Sequence, residues 1–375
     1  MRTVERVTRG VLGWLVGLCG FGLVLLLSSC SGNGEGGERS ADRPGPPVET
    51  TTTPPTTTDV SPPASEQPAA RGDVIVNLRP FNTDFDALTP WIDGIGYVRV
   101  WGGTRGMATY PTLDAVPDHL LDHPRSYNVV TQDEIDALLD LQDRHGVRVI
   151  YMVNVNDTLE SQREFIARLV VEGIDLAILE MGNELYLRKF RDGDITQLGV
   201  TRSWSPEDYA AMLEEWVPEL GGFDVPIYIV GASHGSGDSG RDLNRQYWNE
   251  VMVEAIDDRV AIDGVTFHRY AGEERSGESH EEAISNESFA FLSTFGDLPI
   301  AITESGYAFS EMTPENLDLA EEFWTEFDSA LKPGDLFGVH VMYRPSEHRT
   351  ISYGLFDEDG RTPVGDRFAE WLTGR

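Results

Sequence analysis

Two glutamates offer the chemistry in this sequence. In residues 174–186 an apolar run breaks abruptly into Glu180, Gly182, Asn183 and Glu184, and in residues 299–306 a second run ends on Glu304, Ser305 and Gly306. A buried strand has no packing reason to finish on polar side chains, whereas a reacting centre set where a strand leaves the core does. Brought face to face, two carboxyls suffice to cleave an acetal: one protonates the departing oxygen, and the other attacks or assists at the anomeric carbon. His268 and Tyr270 end a third apolar run, and Arg99 lies within a fourth. A metal hydrolase would want a His-x-His or carboxylate cluster on the first strand, where Asn77 and Arg79 stand instead, so no metal ligands are assigned.

The segments that must position these residues alternate. Apolar, β-branched runs at 74–78, 97–101, 147–153, 174–181, 226–230, 264–268, 300–303 and 337–342 read as strands. Between them, Thr131 and Glu134 form a capping box opening a helix with Ile135, Leu138 and Leu139 on one face and Gly146 at its end. Ser205-Pro206 and Thr313-Pro314 each set proline at the first helical position behind a capping hydroxyl. Segments near 159–172, 241–257, 281–295 and 366–373 complete the helices. Eight β-then-α units in about 300 residues predict an α/β fold, a (β/α)8 TIM barrel, whose C-terminal strand ends converge on one cavity. No Gly-rich phosphate fingerprint follows the first strand. The connection 102–127 is far longer than a minimal βα loop and is expected to overhang the cavity.

With the residues in that frame, the chain resembles the superfamily of retaining (β/α)8 β-glycosidases often called clan A. Gly182-Asn183-Glu184 matches its fourth-strand Asn-Glu, and Thr303-Glu304-Ser305-Gly306 its seventh-strand glutamate. Phe267-His268-Arg269-Tyr270 is similar to its sixth-strand element, Arg99 to an arginine near the nucleophile, and residues 353–363 to its closing segment. The resemblance spans residues 74–375 and implies double displacement without a cofactor. Glu304 would be the nucleophile, held ionised by Tyr270 and Arg99, and Glu184 the acid/base, protonated at first with a raised pKa. Asn183 would hold the sugar 2-hydroxyl. The chain departs from the pattern at the eighth strand, where Tyr343 and Arg344 stand in place of the tryptophan floor. Tyr343 is then a substitute platform. Arg344, with Arg79 and Arg269, either binds an anionic sugar or pairs with a structural carboxylate. Other residues keep two readings: Trp101 and Trp204 as sugar platforms or core, His268 and His234 as site-lining or core, Glu180 as the buried partner of an arginine or a participant.

Composition sets the surroundings. The formal charge of −34 argues against nucleic acid, whose phosphates would be repelled, and suits a well-solvated protein with a neutral or cationic partner. Arg2, Arg6 and Arg9 precede an apolar run at about 11–27 that ends Leu27-Ser28-Ser29-Cys30, resembling a bacterial lipobox. The cysteines are Cys19 and Cys30, so the rest of the chain has neither disulfide nor thiol ligand. The expected organisation is a lipoprotein signal peptide at 1–29, a disordered Pro/Thr/Ser/Gly-rich linker at 30–71 and a catalytic domain at 72–375. Lipidation of Cys30 would tether a monomer outside the cytoplasmic membrane, facing an oligo- or polysaccharide. The alternative is a surface lipoprotein that binds glycans without cleaving them.

Overall fold

The computed structural model describes residues 73–78, 94–122, 127–187, 203–234, 240–272, 279–309, 311–340, 355–357 and 360–374. Contacts divide the chain into Met1–Ala64 and Ser65–Arg375, and all described residues belong to the second unit. The signal-like segment, the linker, Cys30, Arg79, Tyr343 and Arg344 lie outside the described residues. No helix among those described is long and apolar enough to cross a membrane.

Eight strands close into a barrel: β1 Val74–Asn77, β2 Ile95–Val100, β3 Arg148–Met152, β4 Leu176–Glu180, β5 Ile227–Val230, β6 Gly264–Ala271, β7 Ile300–Tyr307 and β8 Leu336–Val339. Each is hydrogen-bonded in parallel to its sequence neighbours, and β8 returns to β1. The strands read as continuous apolar runs because both faces are buried. Inward residues Ile75, Ile150, Ile178, Tyr228, Ala301 and Leu336 plug the lower barrel with Tyr97. Residues of opposite parity, such as Val74, Val76, Val98 and Val100, join the larger core under the helices.

The helices begin and end where the sequence marks them. In α1, Gln132–His145, Thr131 and Glu134 form the reciprocal capping box, and Gly146 closes the helix at φ 55°. Its buried face is Ile135, Leu138 and Leu141, and the half-buried Leu139 packs against the same core. Helix α2 is Leu159–Glu172; α3, Pro206–Leu220, and α5, Pro314–Ala330, carry the expected N-caps and first-turn prolines. Helix α4 is Gly240–Asp258 and α6 is Pro363–Gly374. The helix expected at 281–295 is instead a short turn, His280–Ala283, and a 3-10 segment, Asn286–Ser293. There Ser279 and Ser285 each cap a backbone N–H, starting two short elements where one was expected.

The long connection after β2 has its own small core of Tyr110, Val116 and Leu120, and pairs Thr109–Tyr110 with Asn128–Val129. Asn154 and Asn156, just past β3, donate to Thr109 O and Met107 O and fix it to the rim. Its start passes over the barrel mouth: a Cβ added at Gly102 would lie 2.5 Å from an Arg99 nitrogen, and one at Gly103 3.9 Å from Glu304 Oε1.

Candidate active site

Above the apolar plug the barrel interior turns polar, and Arg99 is its hub. Parity along β2 sends Tyr97 and Arg99 inward, and the guanidinium is fully buried. Its Nε donates to Glu180 Oε2 at 2.5 Å and its Nη2 to Asn183 Oδ1 at 2.8 Å. Nη1 donates to Asn77 Oδ1 at 2.8 Å and Glu304 Oε1 at 2.5 Å. Burial works against the charge, but the attraction of Glu180 and Glu304 outweighs it and holds Arg99 above its ordinary pKa. Glu180 is therefore an arginine's buried partner. Burial pushes its carboxyl up, and the Arg99 and His268 charges bring it below the ordinary value.

Glu304 reaches the interior through a register shift. Phe267 pairs with Ile302, but His268 pairs with Glu304, so Thr303 is one extra residue in β7. Thr303 and Glu304 thus both face inward, Thr303 donating to Glu180 Oε1 at 2.7 Å. Strict alternation would have pointed Glu304 at the helices along with Ile302. Its Oε2 accepts a hydrogen bond from the Tyr270 hydroxyl, and His268 Nδ1 and His340 Nδ1 lie 3.6 and 3.5 Å away. Burial alone would raise this carboxyl. His268, His340, Arg99 and the Tyr270 bond together hold it well below the usual range, so it is ionised.

Glu184 arrives by a turn. Gly182 (φ 98°) and Glu184 (φ 45°) both adopt left-handed backbone, which costs a non-glycine residue about 1–2 kcal/mol. Buried Leu185 and Tyr186 anchor the chain beyond it. The turn sets Glu184 Oε1 3.4 Å from His268 Nδ1. Carboxylate oxygens of Glu184 and Glu304 and a ring nitrogen of His268 lie within 4.8 Å of one another. Asn183 is buried, and its Nδ2 has no hydrogen-bond partner among the described residues. A hydroxyl-bearing ligand would satisfy it.

Glu184, His268 and Glu304 have donor atoms spaced to hold a cation. Arg99 already occupies Glu304, however, and a metal would have to displace any proton on His268 Nδ1, so the charge around them disfavours one.

Two of the tryptophans are not at this mouth. Parity would turn Trp101 inward beside Arg99, but its φ of 48° reverses it, and the ring packs on Tyr151 and Phe165 at 5.7 and 5.6 Å. It is core, not a sugar platform. Trp204 is likewise fully buried, donating to Asn156 Oδ1 at 3.1 Å and packing edge-on against Tyr209. His234, half-buried, follows β5. Arg269 alternates to the other face of β6 and donates to Tyr270 O.

Among the described residues, three contributors were missed from sequence: Asn77, Thr303 and His340. The signal for His340 was parity, since it stands two and four residues beyond inward Gly338 and Leu336. A separate cavity of about 560 Å³, lined by Leu213, Pro226, Ile227, Val260 and Asp263 among others, lies at the N-terminal ends of β5 and β6, away from these carboxylates.

No protein-family model matches the sequence, and no curated protein does. Solved structures do. A β-glycosidase from Pyrococcus horikoshii superposes with a TM-score of 0.51 over 77% of this chain and 83% of its own, at 12% identity. A family 1 β-glucosidase from Thermotoga maritima gives 0.51 over 77% and 84%, at 11% identity. The barrel is the same fold. At that identity the likeness is one of architecture, and activity must be argued from the site.

Proposed function

We propose that the protein is a retaining β-glycoside hydrolase. The observation that supports this best is the approach of Glu184 and Glu304 oxygens to within 4.8 Å. Retaining enzymes hold their carboxyl groups roughly 5–5.5 Å apart, whereas inverting ones leave about 6.5–9.5 Å for a water. Glu304, ionised and flanked by Arg99 and Tyr270, attacks the anomeric carbon. Glu184 passes a proton to the departing oxygen, and then takes one from the water that hydrolyses the ester. The Nδ2 of Asn183 is available to donate to the sugar 2-hydroxyl, a contact that strengthens as the ring approaches an oxocarbenium ion. The residues present perform this chemistry with no cofactor.

The substrate side is an oligo- or polysaccharide, in keeping with a fold shared with a β-glycosidase and a β-glucosidase. We place the domain outside the cytoplasmic membrane, carried on a stalk of residues 30–71 from a lipid on Cys30.

A panel of aryl β-glycosides and polysaccharides tests the activity. Cleavage is expected in the wild type and lost in Glu304→Ala; cleavage that survives the substitution removes Glu304 as nucleophile. A 2-fluoro glycoside with a good leaving group should label Glu304 covalently, and binding without label would mark a glycan-binding protein. For the anchor, a fatty-acid analogue should label wild-type cells and not Cys30→Ala. Label that persists in the variant sinks the tether.

A further inference from the structure

His268 sits between the two carboxylates in a way that fixes where one proton must be. Its Nε2 lies 3.1 Å from Thr303 Oγ1, and that hydroxyl spends its single hydrogen on Glu180 Oε1 at 2.7 Å. Thr303 can therefore only accept from the ring, so Nε2 carries a hydrogen. The other nitrogen, Nδ1, is buried and makes no hydrogen bond among the described residues. It faces Glu184 Oε1 at 3.4 Å and Glu304 Oε2 at 3.6 Å. A bare Nδ1 lone pair against two carboxylates would be three acceptors meeting in a buried site, with a cost like that of any unsatisfied polar group. One proton must therefore lie between Nδ1 and these oxygens.

We propose, on the glycosidase reading above, that this proton rests on His268, and that Glu184 is a relay which receives it from Nδ1 as the glycosidic bond breaks. An imidazole is more basic than a carboxylate by about two pKa units before any neighbour acts. The neighbours favour the same answer. Glu180 ends β4 and Glu184 lies just beyond it, Glu304 and Thr303 are on β7, and Tyr270 is on β6 itself. Arg99 from β2 is the opposing positive group, and His340 after β8 also faces Glu304. Burial opposes the imidazolium, yet Glu304, Glu180 and Glu184 raise its pKa to about 9.

In the first step the Nδ1–H bond breaks and an O–H bond forms at Glu184 Oε1. That hydrogen passes to the glycosidic oxygen as the C–O pair leaves with it and a Glu304 oxygen bonds to the anomeric carbon. In the second step Glu184 removes a proton from water while the water oxygen displaces Glu304, and the proton returns to Nδ1. The sum is hydrolysis, with His268 and both glutamates restored. At rest both glutamates are then ionised, in contrast to the protonated Glu184 that the family resemblance implies.

The test joins ¹⁵N NMR of the histidines with a leaving-group series. In the resting wild type at about pH 7.5, a unit above the ordinary histidine value, one imidazolium should be present that disappears in His268→Asn. Its absence overturns the proton store whatever the activity. In His268→Asn, kcat/KM for phenyl glycosides should fall about 100-fold, within the usual range for lost acid catalysis, while dinitrophenyl glycosides, which need no acid, change less than about threefold. The alkaline limb of the phenyl profile should also move down toward the carboxylic acid range. Equal losses across the series, or an unmoved limb, would leave His268 a merely structural neighbour. A wild type that turns over no aryl glycoside while showing the imidazolium overturns the glycosidase reading instead, and the relay with it.

Discussion

Arg99→Met removes the group on which the polar ends of β1, β4 and β7 converge. The guanidinium is fully buried, bonded to two carboxylates, Glu180 and Glu304, and to Asn77 and Asn183. Breaking a buried charge pair from one side costs about 3–5 kcal/mol, because the partner is left uncompensated. Total stabilities run about 5–15 kcal/mol, so the variant should fold but weakly. The loss must depend on pH, and its sign follows from the carboxylates. Both are held below their ordinary values in the wild type, so they contribute stability above about pH 4.3 that is lost as pH falls through their lowered folded values. Without Arg99, burial raises both, and the folded variant takes up protons that the wild type does not. The gap between the two proteins should widen from about pH 4.5 to its full size by neutral pH. Urea unfolding of both proteins across that range measures it. Arg99→Lys, which keeps charge and loses the fork, should show an intermediate deficit with a flatter pH dependence. A deficit for Arg99→Met under about 1 kcal/mol at neutral pH, or one that does not vary with pH, would refute the ion pair as the organiser of the site.

Three further outcomes are expected. Tyr270→Phe removes a hydrogen bond to a charged acceptor, typically about 1.5–3 kcal/mol, so Glu304 should titrate about one to two units higher and the acid limb of kcat/KM should move up with it; a limb that stays in place denies the contact. Trp101→Ala should cost about 3–5 kcal/mol in thermal or urea unfolding, with KM unchanged, as befits a ring packed on Tyr151 and Phe165; a raised KM with stability intact would return Trp101 to the sugar. The raised pKa of His268 contributes stability that is fully present below about pH 6.5 and is lost as pH rises to about 9, worth about 3 kcal/mol by linkage. Urea midpoints at the two ends of that window should differ in the wild type by more than in His268→Asn, and equal slopes would count against a charged His268.

The barrel was legible because its strands are buried on both faces. Such strands must be apolar throughout, and Thr131, Ser205, Thr313 and Gly146 then mark where the intervening helices start and stop. The carboxylates were legible for the complementary reason, since only a site explains polar residues ending such runs. What alternation could not deliver was direction. Taken strictly, a period of two would turn Trp101 into the barrel beside Arg99 and Glu304 outward with Ile302. Both assignments reverse through purely local backbone events, a left-handed φ at Trp101 and one extra residue at Thr303. Nothing in the composition of either stretch announces them, because neither Trp101 nor Thr303 is the glycine that such a backbone usually recruits.

The extra residue in β7 also explains why the site is built as it is. If β7 kept its register, Thr303 alone would face the mouth, and Glu304 would lie against the helical shell. The inserted residue brings both side chains inward at adjacent positions. One continuous chain of contacts then runs from Glu180 through Thr303 and His268 to Glu184, while Glu304 closes on Arg99 and Tyr270. Thr303 is thus the residue through which the structural carboxylate, Glu180, sets the hydrogen on His268 Nε2 and leaves Nδ1 turned toward Glu184 and Glu304. A valine at 303 would fill nearly the same volume but could neither accept from the ring nor donate to Glu180, and a buried polar network that is only partly satisfied is worse than none.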